Sequence, residues 1–151
     1  MATPYSDIIN MFIFKTKTYQ LMVLSLEDKE EIVNSYLKSA CAKFYKKSKH
    51  DLLNRDDDLQ IFEDDLYLDE IDILSEIMIT EWLSPQIYND ELLESRLNTK
   101  DFTEYSPAKL IEQIRNVYNE SRKKVKYMMI QYTYDHGNVR NLDEEWNKNF
   151  V

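Results

Sequence analysis

Leu68-Asp69-Glu70-Ile71-Asp72-Ile73-Leu74-Ser75-Glu76-Ile77-Met78-Ile79-Thr80-Glu81-Trp82-Leu83 is the stretch whose period decides the fold. At 3.6 residues per turn, Ile71, Leu74, Met78 and Trp82 fall in one row and Ile73, Ile77 and Ile79 widen it. Only Asp72, Glu76 and Thr80 remain as a narrow polar stripe. A helix that is apolar over most of its circumference packs on several sides at once, so this is expected to be the central helix. Asp69 and Glu70 stand at its start, where the positive end of the helix dipole favours acids. Ser84-Pro85 follows, and proline disfavours helical geometry at the residue before it. The helix is therefore expected to end or kink there.

Working back toward the start, Glu30 to Tyr45 carries Ile32, Val33, Tyr36, Leu37, Ala40 and Phe44 as one continuous stripe. Ser25-Leu26-Glu27-Asp28 supplies a capping-box variant ahead of it. Lys43, Lys46, Lys47 and Lys49 complement the negative end of that helix. Tyr5-Ser6-Asp7 opens a first helix with Ile8, Ile9, Phe12 and Ile13 on one face and Ser6 in the cap position. Lys15 to Thr18 breaks its pattern, and Tyr19 to Leu24 fits a helical turn or a strand equally. Residues 48–66 read as an irregular acidic connection with room for a short strand or hairpin at 59–66, where Leu59 and Ile61 alternate.

Beyond the central helix, Asn89-Asp90 can cap a brief helix carrying Leu92, Leu93, Arg96 and Leu97, and Phe102 anchors the linker that follows. Ser106-Pro107 starts a long last helix, with proline at its first position. Leu110, Ile111, Ile114, Val117, Tyr118, Val125, Met128, Met129 and Tyr132 follow its period, and Gly137, the chain's single glycine, suits its C-terminal cap. Past that cap, Val139, Leu142, Trp146 and Phe150 recur at helical steps. Two placements are open for this tail. It docks on a neighbouring chain with those four residues as partner-binding anchors, or it folds back on its own domain.

The expected fold class is thus mostly α: a compact bundle of about five helices over residues 1–137, a short β-hairpin, and an extended C-terminal tail over 138–151. Composition agrees, since one glycine and three prolines in 151 residues leave too few turn formers for a sandwich or barrel. One cysteine, Cys41, excludes an internal disulfide and fits synthesis in a reducing cytosol. The apolar run Ile8 to Phe14 lacks a basic lead-in, so no leader is expected, and no run approaches the roughly 18 apolar residues of a membrane span. A soluble protein is expected.

Net charge is −9, but it is segregated. Residues 1–50 hold 8 basic and 5 acidic side chains (+3), residues 51–104 hold 3 and 17 (−14), and residues 105–151 hold 8 and 6 (+2). An acidic belt between weakly basic ends argues against a general nucleic-acid binder and allows copies of the chain to meet through unlike surfaces. Chemistry is not indicated. Counted from Asp56, an EF-hand loop would need glycine at its sixth position and glutamate at its twelfth, where Ile61 and Tyr67 stand. His50 and His136 both lie near helix ends, where complementing the dipole is the ordinary role, and with one cysteine they give too few ligands for zinc. Glu76 and Glu81 carry little signal among so many acids. Cys41 lies beside the apolar stripe and reads as a packed residue. The eleven tyrosines read as core or subunit contact. No enzyme activity and no cofactor are expected.

A helix such as Glu30 to Phe44, a polar loop, and then a hydrophobic helix ending in an aromatic, Ile77-Met78-Ile79-Thr80-Glu81-Trp82-Leu83, together resemble the head–tail adaptor (connector) proteins of tailed phages of Gram-positive hosts. The likeness covers residues 25–88; elsewhere it rests on length and helix order. It implies a virion protein made in the host cytoplasm and placed at the head–tail junction. By the same resemblance it forms a ring, a dodecamer, beneath the portal protein, and docks a downstream neck or tail protein. DNA would pass through the channel without specific binding, which an acidic wall favours. The family's reaching C-terminal end corresponds here to Asn138 to Val151. The first helix and the longer last helix depart from the shorter adaptors. The stopper or tail-terminator ring of the neck, and a non-virion cytosolic helical interaction protein, are the alternatives.

Overall fold

Of the polar stripe expected along the central helix, Asp72 is partly exposed but Glu76 and Thr80 are buried, as are Ser75 and Ile73, Leu74, Ile77, Met78, Ile79, Trp82 and Leu83. The structure, a computed structural model, describes residues 2–18, 30–88 and 107–136. Within them the order is β1 (Thr3–Pro4), α1 (Tyr5–Thr18), α2 (Glu30–Phe44), β2 (Arg55–Asp56), β3 (Ile61–Phe62), α3 (Leu68–Tyr88) and α4 (Pro107–His136). The mostly helical class holds, with four helices and a small antiparallel sheet among the described residues. Residues 89–106, where a fifth helix was expected, lie outside them, as do Tyr19 to Leu24, the cap at Ser25 to Asp28, and the tail from 138 to 151.

α3 is central because α1, α2 and α4 all pack against it. Phe12 of α1 meets Trp82 edge-on at 5.9 Å and Tyr36 of α2 at 6.4 Å, which joins three helices through one ring. Removing a buried phenylalanine of this kind costs about 3–5 kcal/mol. From α2, Leu37, Ala40, Cys41 and Phe44 are buried as its stripe requires, while Ala42 is exposed. Tyr36 and Val33 are half-buried at the edge of the same core.

Three local expectations are corrected. Of the end or kink expected at Pro85, the end is corrected: α3 continues to Tyr88 with Pro85 inside it. Proline removes one intrahelical bond, yet the next residue, Gln86, is buried, and its side-chain amide donates to the Trp82 carbonyl at 3.0 Å. Past the proline, Ile87 packs against the core, and this apolar contact together with the Gln86–Trp82 bond favours continuation of the helix. α1 does not stop at Lys15: the Lys15 ammonium is drawn inward, 2.5 Å from Asp72 Oδ1 and 3.0 Å from Glu76 Oε2, and it donates to the Asp72 carbonyl at 3.0 Å. Ser6 lies inside the first turn of α1, not before it. The Tyr5 amide instead donates to the Gln60 carbonyl at 2.8 Å, a tertiary partner for one of the unpaired amides of a helix start.

The sheet has the order β1-β3-β2, with Thr3 opposite Phe62 and Arg55 also opposite Phe62. The hairpin therefore covers 55–62 where 59–66 was expected, and Leu59 sits in its turn. Pro4, which has no amide hydrogen, is tolerated because β1 is an edge strand. Thr3 fastens the edge: its hydroxyl donates to the Asp64 carbonyl and accepts from the Leu66 amide, both at 2.9 Å.

Glu76 is the constraint inside this core. Its carboxylate meets Lys15 of α1, accepts the Ser121 hydroxyl of α4 at 2.8 Å, and has Lys124 of α4 at 3.5 Å. Breaking a buried ion pair by removing one partner costs about 3–5 kcal/mol, whereas replacing both by apolar groups is often neutral. Lys15→Met should therefore destabilise the protein by about 3 kcal/mol in urea unfolding, and the double change Lys15→Met/Glu76→Leu should recover most of that loss. Equal stability of the single variant and wild type would show that the pair holds nothing together.

Candidate interaction surface

α4 has two faces of opposite kind. Its inner row, Ile111, Ile114, Tyr118, Ser121, Val125, Met128 and Tyr132, advances by alternating steps of three and four and is buried or half-buried on α3. Ser121 is the small member of the row, and that lets Glu76 come close. Such a row is a heptad seam, the pattern by which one helix lies along another. On the solvent side, with Tyr127 at the rim of the α3–α4 groove, Lys123, Tyr127, Ile130 and Tyr134 repeat the same four-three-four spacing. Tyr127, Ile130 and Tyr134 are 67, 51 and 62% exposed. Three large apolar side chains in line on a solvent face are a patch rather than scatter. Lys126 flanks the row, and the Arg122 guanidinium lies 5.6 Å from the Tyr118 ring centre. Residues 122–134 contain four basic and no acidic side chains.

The second surface is the hairpin. Residues 51–65 carry seven acidic side chains against Arg55 alone. Its turn is held from within: Asp56 Oδ1 accepts the amides of Asp58 and Leu59 at 2.9 and 3.0 Å, and Gln60 adopts a left-handed φ of 54°. Leu59 is thereby pushed outward, 69% exposed, beside Asp58. Below the turn, the Tyr5 ring lies tilted against Phe62 with centres 4.9 Å apart, and its hydroxyl donates to Asp57 Oδ1 at 2.7 Å. The Tyr5 hydroxyl holds the Asp57 carboxyl below the usual carboxylate range, with Lys38 and Arg55 adding to it. Burial and then Asp57 itself push the Tyr5 phenol well above its ordinary value.

At the start of α3 the fold makes a junction that the sequence did not announce. His50 and His136, 86 positions apart, both lie against Tyr67, with ring centres 4.5 and 4.9 Å away. His50 Nδ1 is 2.8 Å from Glu70, and His136 Nε2 is 2.5 Å from Asp69. Tyr132 completes the group, touching His136 and Phe44 and accepting the Lys49 amide at 2.7 Å. The expectation that each histidine merely complements its own helix end is incomplete. They tie the end of α2 and the end of α4 to the first turn of α3. Beside this junction, a cavity of about 170 Å³ is lined by Asp69, Asp72, Ile73, Tyr127, Met128, Gln131, Tyr132 and Asp135.

Cys41 is buried, and that burial pushes its thiol up to about 11, so it packs without being a ready nucleophile. Glu81 pairs with Lys43 across α3 and α2. Among the described residues no three His, Cys, Asp or Glu side chains are grouped to hold a metal ion, and no helix is long and apolar enough to cross a membrane. The four anchors expected in the tail, Val139, Leu142, Trp146 and Phe150, lie outside the described residues. The outer row of α4 was not singled out in the sequence, although its spacing was there to be counted. No family model, curated protein or solved structure matches the chain.

The Tyr5–Asp57 bond gives the hairpin a pH signature. A carboxyl whose folded value is lowered stabilises the fold above its unfolded value, and that contribution disappears as pH falls through the folded value. Asp57→Asn should therefore lower the thermal midpoint at neutral pH. The gap from wild type should close as pH drops below about 4, the ordinary aspartate value. A gap independent of pH would mean that the carboxylate charge is not what the tyrosine holds.

Proposed function

We propose that this protein is a structural building block of a phage virion, a head–tail adaptor whose ring joins the portal to the tail and leaves a path for DNA. The observation that carries the reading is the second row on α4. A helix seated on α3 by one heptad face, and presenting another of the same spacing outward, is built to be packed on both sides. Segregated charge adds to it, because a ring of one chain needs two unlike faces on each subunit.

In this reading residues 89–106 supply the fifth helix, and 138–151 supply the extension that reaches the portal or a neighbouring subunit through Val139, Leu142, Trp146 and Phe150. The mostly helical architecture favours the adaptor over the stopper and tail-terminator level of the neck, whose proteins are generally richer in β-structure. Work of this kind needs no reactive centre. It needs a core that stays rigid while its outer surfaces are loaded, and α3, clamped by three helices, meets that need.

Purified protein should form discrete rings, alone or on portal particles, in negative-stain micrographs. Deleting residues 138–151 should weaken docking to portal by tenfold or more on the order of one lost anchor pair, with the helical circular-dichroism signal per residue retained. A protein that never associates with itself or with portal, or a truncation that docks as well as the full chain, would count against this function or against the tail's part in it, respectively.

A further inference from the structure

The hairpin and the outer row of α4 are complementary to each other, and within one chain they do not cover each other. Leu59 is exposed among Asp56, Asp57 and Asp58, and the row Tyr127, Ile130 and Tyr134 is exposed beside Lys123 and Lys126. The hairpin is fixed through β1 and Tyr5, whereas α4 is fixed on α3. Each surface thus has an apolar centre with charge of one sign around it, and the signs are opposite.

We propose that the hairpin tip of one copy docks on the outer row of α4 in a second copy, with Leu59 seated among Tyr127, Ile130 and Tyr134, and with Asp58 and Glu63 facing Lys123 and Lys126. Charge selects this occupant. A parallel symmetric contact between two α4 rows sets Lys123 and Lys126 near their own copies, and two hairpins meeting set acid against acid, each a like-charge juxtaposition that suppresses the pairing. The unlike pairing is relieved of both. Little ordering cost falls on the hairpin, because the Asp56 side chain and the left-handed Gln60 already fix the turn. A contact between two different patches is heterologous, so an open assembly always keeps one free hairpin at one end and one free α4 row at the other, and growth continues until a ring closes. This assignment rests on the ring reading above and names the surfaces that would build it.

The test is an exchange of charges read by sedimentation across protein concentration. Lys123→Glu/Lys126→Glu makes one variant, and Asp58→Lys/Glu63→Lys makes the other. None of the four side chains is buried, and circular dichroism checks that both variants keep the wild-type helical signal. Wild type should self-associate, less so as salt is raised. Each variant alone should associate roughly tenfold or more weakly. An equimolar mixture should regain assembly, because between the two variants positions 58 and 63 of one copy again carry charge opposite to positions 123 and 126 of the other. Ile130→Ser, which changes no charge, should also weaken association.

Wild type that assembles while both variants assemble equally well overturns this docking and leaves the ring reading standing. Variants that are weakened but do not recover on mixing overturn it as well, since the two patches then do not meet. Wild type that stays solitary at every concentration overturns the docking and the self-assembled ring together. A solitary wild type that retards a DNA duplex in a gel assigns the basic row to nucleic acid instead.

Discussion

A carboxyl group with no exposure to water sits in the middle of α3, and polar groups from two neighbouring helices converge on it. Glu76 is reached by Lys15 from α1 and by Ser121 and Lys124 from α4. Desolvating an unpaired carboxylate is so unfavourable that any relative slide of α1, α3 and α4 which parted these groups is disfavoured. Apolar packing alone would tolerate several alignments of the same helices, since Ile and Leu rows fit one another at more than one position. The ion pair therefore acts chiefly on alignment, and the apolar burial around it supplies most of the stability.

That alignment decides what faces outward. With the inner row of α4 fixed on α3 by Ser121 and Glu76, the row bearing Tyr127, Ile130 and Tyr134 is held on the solvent side. A turn of α4 about its axis would bury those side chains and expose Val125 and Met128. At the other end, the histidines, Tyr67 and Tyr132 fasten the ends of α2 and α4 onto the start of α3, where Asp69 and Glu70 also suit the helix dipole. The hairpin is set by different contacts, Thr3 and Tyr5 at the start of the chain. The two open surfaces are thus positioned by separate parts of the molecule, so each can be altered without disturbing the seat of the other.

Local pattern made the helices legible. The stripes of α2 and α3, and the proline at the first position of α4, were all readable because they depend on neighbours within a turn or two. The errors arose where distant residues act on local preference. Pro85 signals an end or a kink, yet Ile87 packed on the core and the Gln86–Trp82 bond accompany α3 past it. Lys15 looks like a break in a pattern, yet Asp72 and Glu76, some sixty positions away, draw it inside. Of the interaction surface, the acidity of the hairpin was plain from composition, while its tip was misplaced because β1, its partner strand, comes from the other end of the domain.

By itself the sequence determined where the four described helices lie, apart from their ends, that α3 is the central one, and that opposite charges are kept apart along the chain. Short-range periodicity and composition carry that information, and both survive without a fold. Only the tertiary structure decided that Glu76 is buried, that His50 and His136 share Tyr67, and that a second apolar row of α4 stays in solvent. Each of these depends on which face of one helix meets which face of another. That choice is made by pairing charges and filling volume between residues far apart in the chain, so no window of neighbouring residues contains it.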